Sequence, residues 1–268
     1  MNFDDVWRKL LWQILTTGRQ VSPRGQRTKE LPMHTISVDM RKPVLTVPER
    51  KLWYGFMAAE AHWMLMGSDR LADLEQWGKN VARFSDDGST FFGAYGPKIL
   101  DQLDYVVAKL LEDPVSRQAG LTIWREKPPK TKDVPCTVAM FFTVRQGEGQ
   151  PMLEANVFMR SNDAWLGTPY DVFNFSMVAH LVAARVNEAL GGRLPMVTPG
   201  TLRLAAASSH LYEGNWEAAA ICARPVEGTE QEPSPEALFT SAVALRRTLK
   251  ELRESKPGDA LRWWEAKP

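Results

Sequence analysis

The strongest constraint on the fold is a pair of strands followed directly by a long apolar segment. The runs "PCTVAMFFTV" and "MLEANVFMR" flank "RQGEGQ", a turn that contains glycine, and predict a β-hairpin. From Pro169 to about Leu190 the chain then predicts one long apolar helix, which ends at two glycines. Hairpins and helices without regular strand–helix–strand units favour an α+β fold over a doubly wound sheet.

Alternation along the second strand predicts which side chains share a face, because successive side chains of a strand point to opposite sides. One face carries the apolar set Leu153, Ala155, Val157 and Met159, and the other carries Glu154, Asn156, Phe158 and Arg160.

Periodicity and chain breakers predict the remaining elements. Further helices are expected over residues 3–17, 48–66, 98–112 and about 235–254. Strands are expected at "LTIWRE" and "TLRLAAASSHLY". The basic segment "GRQVSPRGQRTKELP" is expected to be a loop; its composition favours a solvated surface loop over an anion-binding one. The 268 residues contain no evident boundary, and we expect a single domain over 1–268.

Charge and composition argue against several classes of protein. The formal net charge is +1, so no global field attracts nucleic acid or a membrane surface. No run reaches the roughly 18 apolar residues of a membrane span, and the acidic N-terminus is unlike a signal peptide, so we expect a cytoplasmic protein (in the host cytoplasm if a phage encodes it). The two cysteines and four histidines lack the spacing of metal ligands, and neither a metal site nor a disulfide framework is expected.

Three residues stand out because their local setting is unusual. Glu60 lies within an apolar helical stretch, where a carboxylate is costly unless it has partners or a function. Cys136 follows a proline at the start of a strand, where a lone cysteine is more often a small buried hydrophobe. Asp171 ends the polar junction "MRSNDAWLGTPYD" at the start of the long helix, where an acid commonly satisfies backbone N–H groups.

The order of the motifs gives these residues a common interpretation. A Pro-Cys strand start is followed by "RSND", then "LGTP", then "HLY"; upstream lie "EAHWMLMG", "GAYG" and "DPVSR". In this order and rough spacing the motifs resemble the thymidylate synthase superfamily, over roughly residues 5–220. The resemblance implies a large mixed β-sheet flanked by helices, and a homodimer that packs sheet to sheet.

The resemblance also implies a reaction, the transfer of a one-carbon unit from 5,10-methylenetetrahydrofolate to C5 of a pyrimidine nucleotide. Cys136 is then the nucleophile that adds to C6 of the base, which turns C5 into a carbon that can attack an electrophile. Arg160 is expected to lower the pKa of its thiol. Glu60 is expected to organise water and relay protons at the base.

The resemblance assigns further residues to the two small molecules. Arg160, Ser161, Arg24 and Arg117 are implied to bind the phosphate, and His210 and Tyr212 the sugar 3′-hydroxyl. Arg117 would reach the phosphate of the partner subunit, although Gln118 stands where the family often has a second arginine. The Arg24 loop matches only loosely, so Arg19 or Arg27 can replace it. Asp163, Gly167 and Tyr95 are assigned to the folate side.

Two departures from the family pattern suggest which base is bound. Thr137 follows the nucleophile where thymidylate synthases usually have histidine, and Asp171 stands where they usually have asparagine. A carboxyl group can accept from the 4-amino group of cytosine and share a proton with N3. Both departures resemble the dCMP 5-hydroxymethylases, which make 5-hydroxymethyl-dCMP by adding water after the one-carbon transfer.

Several alternatives remain open on the sequence. The ending "LRWWEAKP" is unlike the apolar tail that excludes water in thymidylate synthases, which favours a hydroxymethyl product, but Trp263 and Trp264 can also seal the site and allow methyl transfer to dCMP. Hydroxymethylation of CMP or of dUMP fits the same chemistry. A non-catalytic nucleotide-binding homologue is disfavoured by the intact Cys136, and a Cys-His hydrolase using His210 lacks an oxyanion-hole motif.

Overall fold

The computed structural model describes residues 2–78, 80–147, 149–192, 195–223, 239 and 241–255, and these residues are built around one mixed β-sheet. Its strands are β1 (Arg19–Val21), β2 (Thr28–Asp39), β3 (Gly120–Thr122), β4 (Thr137–Gln146), β5 (Pro151–Met159), β6 (Asn162–Asp163) and β7 (Thr198–Tyr212). The strand order is β1-β2-β7-β5-β4-β3, with β6 paired beside the end of β7. The β5–β7 and β6–β7 pairs are parallel and the other pairs are antiparallel.

Helices cover one face of this sheet. They are α1 (Phe3–Thr17), α2 (Tyr54–Leu65), α3 (Tyr95–Glu112), α4 (Thr168–Ala189), α5 (Trp216–Cys222) and α6 (Ala242–Glu254). Helix α4 is the most deeply buried, which explains why its sequence is apolar on nearly every side. Pro169 lies in its first turn, where the missing N–H would have no partner within the helix. None of the helices in the described ranges is long and apolar enough to cross a membrane.

The two faces of β5 have different environments, and the predicted division of its side chains is confirmed. Leu153, Ala155 and Val157 are completely buried beneath the helices. On the opposite face Phe158 is 45% exposed and meets Phe141 of β4, which is 39% exposed. This second face of the sheet therefore presents aromatic surface outside the core of the chain.

The hairpin, the long helix and the α+β class are confirmed, and four boundaries needed correction. The predicted loop over residues 18–32 was wrong: it contains β1 and the first part of β2, which pairs with β7 from Thr28 opposite Tyr212 to Asp39 opposite Thr201. Helix 48–66 begins only at Tyr54, after a short 3₁₀ turn, and helix 98–112 begins earlier, at Tyr95. The strand predicted at "LTIWRE" begins one residue earlier and is shorter, at Gly120–Thr122.

Of the helix predicted over about 235–254, the structure shows Ala242–Glu254, and residues 235–238 and 240 lie outside the described ranges. The ending with Trp263 and Trp264 also lies outside them.

Candidate active site

Cys136 lies at the entrance to β4, beside the end of β5, where the backbone of the neighbouring strand holds it. The Arg160 N–H donates to the Cys136 carbonyl at 2.8 Å. The Arg160 side chain then folds back over the same segment: Nε donates to the Pro135 carbonyl and Nη2 to the Val134 carbonyl, both at 2.9 Å. Arg160 Nη2 also lies 3.6 Å from Cys136 Sγ. The guanidinium is thus fixed next to the thiol.

The charges around Cys136 act in opposite directions. Burial raises the pKa of the Cys136 thiol, Arg160 lowers it, and Asp171 raises it again. The expected effect of Arg160 is present, but burial outweighs it, and the net pKa is above the ordinary value. The protein without substrate therefore holds a protonated thiol beside a fixed cation.

Asp171 lies in the first turn of α4, with its carboxyl group close to two other acids. Burial raises its pKa well above the ordinary value, and the neighbouring carboxyls of Glu60 and Asp163 raise it further. Its Oδ2 accepts a hydrogen bond from Asn162 Nδ2 at 2.8 Å. Its Oδ1 makes no hydrogen bond to the described residues, so one oxygen remains available to a ligand.

Tyr95, at the start of α3, connects Cys136 and Asp171. Its Oη accepts from the Thr137 N–H at 3.2 Å, and its ring stacks on Phe175 of α4 with centroids 6.3 Å apart. Burial raises the pKa of the Tyr95 hydroxyl, and both Asp171 and Cys136 raise it further. Cys136, the carboxyl of Asp171 and this phenol therefore lie within electrostatic reach of one another.

Glu60 projects from α2 towards the same helix turn. Its Oε2 accepts from Asn174 Nδ2 at 2.7 Å, and burial raises the pKa of its carboxyl. Asn174 lies three residues after Asp171, so the first turns of α4 hold both acids near each other. Asn174 Oδ1 and Thr137 Oγ1 are buried without a hydrogen-bond partner in the described chain. Such unpaired atoms indicate a site built for a polar ligand or for water.

A second group of residues lies at the end of β7. The His210 and Tyr212 rings meet edge to face with centroids 5.1 Å apart, and Arg24 Nη2 lies 3.4 Å from Tyr212 Oη. Arg24 has a left-handed backbone, with φ of 54°, and its side chain is exposed. Arg27 forms an ion pair with Glu213, so Arg24 is the better placed of these two arginines to meet a ligand.

The turn between β6 and α4 explains the polar junction in the sequence. Asp163 Oδ1 accepts from the N–H groups of Trp165 and Leu166, at 2.8 and 2.9 Å, and the Gly167 N–H donates to the Asp163 carbonyl at 2.9 Å. A Cβ at Gly167 would lie 3.1 Å from both that carbonyl and Asp171 Oδ2, tighter than most real contacts. Gly167 therefore allows the turn to pass close to Asp171.

Two predicted phosphate ligands, Ser161 and Arg117, make no hydrogen bond to the other candidate residues within the described ranges. Ser161 is half-buried directly after Arg160 and makes no hydrogen bond to the described residues. Arg117 is exposed ahead of β3, and within the described ranges no contact joins it to the other candidate residues. A single chain does not bring Arg117 into the group that contains Cys136.

Sequence reasoning missed Asn162 and Asn174, which donate to Asp171 and Glu60, and Thr168, which donates to Asn162. Asn162 and Thr168 occupy the variable positions of the motifs "RSND" and "LGTP", so the motifs themselves gave no reason to single them out. A polar residue within an apolar helix was the only available signal for Asn174. In the described ranges no group of histidine, cysteine or acidic residues is arranged to hold a metal ion.

Comparison with known proteins identifies the family. The model of the family described as thymidylate synthase matches residues 5–227. The chain belongs to the thymidylate synthase family. The predicted family and its fold, a mixed sheet flanked by helices, are therefore confirmed, and members of this family bind a nucleotide and a folate.

Three relatives show how similar the chain is to individual members of the family. The chain is 28% identical to the deoxyuridylate hydroxymethyltransferase of Bacillus phage SP01, over 69% of this chain and 53% of that protein. It is 30% identical to the deoxyuridylate hydroxymethyltransferase of Pseudomonas phage M6, over 76% of this chain and 58% of that protein. A Methanosarcina acetivorans protein provisionally named thymidylate synthase is 25% identical, over 81% of this chain and 89% of that protein. The match thus spans little more than half of the two phage relatives.

Aromatic side chains cluster around Tyr170, which directly precedes Asp171 in the chain. Phe56 meets Trp53 and Tyr170 with ring centroids 6.3 and 5.6 Å apart, and Trp53 is 44% exposed. Such aromatic rings can stack on a planar ligand.

Proposed function

We propose that this protein transfers a one-carbon unit from 5,10-methylenetetrahydrofolate to C5 of dCMP and adds water, giving 5-hydroxymethyl-dCMP. The observation that carries the proposal is the carboxyl of Asp171, which has a raised pKa and one oxygen without a hydrogen bond to the described residues, within electrostatic reach of Cys136. The names of the two phage relatives support hydroxymethyl transfer as the reaction type. We propose that residues 1–268 act as one domain.

In this proposal Cys136 adds to C6 of the pyrimidine. The addition makes C5 nucleophilic, which the free base is not. Bound methylenetetrahydrofolate supplies the one-carbon unit that C5 attacks. Arg160 Nη2, 3.6 Å from the sulfur, stabilises the thiolate as it forms and offsets the effect of burial on its pKa.

Asp171 reads the base and assists the addition. A neutral carboxyl group has one hydroxyl donor and one carbonyl acceptor. It can donate to N3 of cytosine while accepting from the 4-amino group. Donation to N3 also stabilises the electron-rich ring that forms when the thiolate adds. The proposal therefore gives Asp171 both recognition and acid catalysis.

Glu60 and Asn174 serve the water and the protons near C5. Burial raises the pKa of Glu60, which brings this carboxyl closer to the range in which a group both gives and takes protons. Asn174 Nδ2 fixes Glu60 Oε2 at 2.7 Å, while Asn174 Oδ1 is still without a partner in the described ranges. We propose that Glu60 and Asn174 position the water molecule whose addition completes the hydroxymethyl group.

The nucleotide's phosphate and sugar are assigned to the residues around the ends of β5 and β7. Arg160, Ser161 and Arg24 are proposed to bind the phosphate, with His210 and Tyr212 at the 3′-hydroxyl. The contact of Arg24 with Tyr212 supports a shared phosphate and sugar site. Asp163, Gly167 and Tyr95 remain the proposed folate-side residues, although Tyr95 also contacts the strand that carries Cys136.

The open face of the sheet supports the proposed homodimer. Phe141 and Phe158 lie edge to face at 6.2 Å and are among the exposed large apolar side chains. Exposed aromatic surface in the middle of a sheet face commonly marks a protein–protein interface. In a sheet-to-sheet dimer Arg117, which is free of the site in its own chain, would reach the partner's phosphate.

The second candidate reaction is hydroxymethylation of dUMP, which the names of both phage relatives favour. Transfer of methyl to dCMP and hydroxymethylation of CMP are less supported alternatives, and a non-catalytic nucleotide-binding role is disfavoured by Cys136 beside Arg160. The proposal prefers dCMP because Asp171 occupies the position that reads the base in the family pattern.

Product analysis tests the proposal. The protein is incubated separately with dCMP, CMP and dUMP in the presence of methylenetetrahydrofolate, with Cys136→Ala as the control. We expect dCMP to gain one formaldehyde equivalent in mass, without the absorbance of dihydrofolate. Gain of a single methylene with dihydrofolate would contradict hydroxymethylation, and turnover of dUMP but not dCMP would contradict the role of Asp171.

A further inference from the structure

A buried chain of hydrogen bonds behind Asp171 has no part in the proposed reaction. Thr168 Oγ1 donates to Asn162 Oδ1 at 2.5 Å, and Asn162 Nδ2 donates to Asp171 Oδ2 at 2.8 Å. Thr168 is 0% and Asn162 2% exposed. Two buried polar residues that end on the base-reading carboxyl are expensive to maintain unless the chain is fully paired.

With aspartate at position 171, the surroundings of Asn162 favour one direction of this chain. Its second N–H points to Met159 Sδ at 3.6 Å, and a thioether can only accept. Thr168 has one hydroxyl hydrogen, and its alternative acceptor, the Asp163 carbonyl, is farther away at 3.3 Å. Asn162 therefore presents a donor, not an acceptor, to Asp171.

The direction matters because a neutral carboxyl group alone does not distinguish the two bases. Cytosine presents an acceptor at N3 and a donor at position 4, whereas uracil presents the reverse. A carboxyl group fits either base, depending on which of its oxygens carries the hydrogen. A carbonyl oxygen is a better acceptor than an acid hydroxyl, so an N–H directed at Oδ2 keeps Oδ2 the carbonyl and leaves the hydrogen on Oδ1.

We propose that Asn162, held by Thr168, is a positioning residue that keeps the hydrogen of Asp171 on Oδ1 and so makes the site select cytosine over uracil. The inference rests on the proposed function and deepens it. The proposal places Oδ1 at N3 as the donor and Oδ2 at the 4-amino group, so that Oδ2 accepts from both this group and Asn162. In this proposal cytosine selection requires both the aspartate at position 171 and the hydrogen bonds from Thr168 and Asn162 that orient it.

The test uses Asn162→Leu and the matched pair Thr168→Val and Thr168→Ser. The ratio of kcat/KM for dCMP to kcat/KM for dUMP is measured with methylenetetrahydrofolate for each variant and for wild type. Loss of one buried hydrogen bond is expected to lower this ratio about tenfold in Asn162→Leu and in Thr168→Val. Thr168→Ser retains the donor and is expected to keep the wild-type ratio.

The outcomes separate this inference from the proposed function. If wild type hydroxymethylates dCMP but the ratio is unchanged in Asn162→Leu and Thr168→Val, this inference alone is overturned, even if both variants are slower. If wild type makes no product from dCMP, the proposed function fails instead. Should Asn162→Leu not fold, the Thr168 pair decides, because valine has nearly the shape of threonine and serine has its hydroxyl.

Discussion

Replacing Asp171 by asparagine is the perturbation that tests base recognition most sharply. The amide has nearly the shape of the carboxyl group but has no acidic proton to give to N3 of cytosine. With uracil the amide can donate to the oxygen at position 4 and accept from the N3 hydrogen. Asn162 and Thr168 can follow by reversing their hydrogen bonds, with the Asp163 carbonyl, 3.3 Å from Thr168 Oγ1, as the new acceptor and with loss of the weak contact from Asn162 Nδ2 to Met159 Sδ. The variant should therefore lose dCMP turnover and retain or gain dUMP turnover.

The size of the effect follows from the two functions assigned to Asp171. A positioned general acid typically contributes about 10²–10⁴-fold to rate. A buried polar contact left unpaired costs about 1–3 kcal/mol, which is about 5- to 150-fold in kcat/KM. We expect kcat/KM for dCMP to fall at least about 100-fold, while that for dUMP changes by less than about tenfold.

Steady-state kinetics on both nucleotides measure this change, with product masses confirming which base is modified. Circular dichroism and thermal unfolding of the variant serve as controls for folding. Equal losses on dCMP and dUMP would mean that Asp171 supports the site without reading the base. An unchanged preference for dCMP would mean that cytosine is recognised elsewhere, and the reasoning from the carboxyl group would be refuted.

Three further predictions concern the nucleophile, the dimer and the buried acid. Cys136→Ala should abolish turnover yet bind dCMP in calorimetry; measurable turnover would exclude a covalent mechanism. Arg117→Ala and Cys136→Ala should each be inactive alone, but mixed subunits should regain roughly a quarter of wild-type activity, because each mixed dimer holds one complete site; no recovery would place Arg117 outside the partner's site. Burial raises the pKa of Asp171 in the folded state, so that state binds more protons than the unfolded chain and its stability falls as pH rises above the ordinary aspartate pKa. Urea unfolding without ligand should therefore show Asp171→Asn gaining stability over wild type as pH rises, by at most about 1.4 kcal/mol per pH unit; a gain greatest at low pH would contradict the raised pKa.

The parts of the fold that the sequence predicted are those with a local signal. The hairpin and α4 follow from side-chain period and from turn residues that lie within the same segment. The first half of β2 was missed because Pro32 and its charged neighbours are unlike a central strand. Its pairing comes from β7, about 170 residues away, and no local pattern reveals such a partner.

Motif order predicts candidate members of the site, but not the pKa values and hydrogen bonds of those residues. Motif order identified Cys136, Asp171 and Glu60, and the structure brings Asp171 within electrostatic reach of the other two. The net rise in the pKa of Cys136 depends on burial, which a motif does not report. The hydrogen bonds from Thr168 through Asn162 to Asp171 depend on a turn that brings the three side chains together. We propose that these hydrogen bonds set the preference for cytosine over uracil.

A competition experiment tests the central claim most directly. Equal concentrations of dCMP, CMP and dUMP are mixed with the wild-type protein and methylenetetrahydrofolate, and the products are weighed at low conversion. The relative yields give the ratios of kcat/KM without separate calibration of each reaction. We predict that dCMP is consumed first and gains one formaldehyde equivalent. Preferential consumption of dUMP, or a product that has gained only a methylene, would contradict the proposed function.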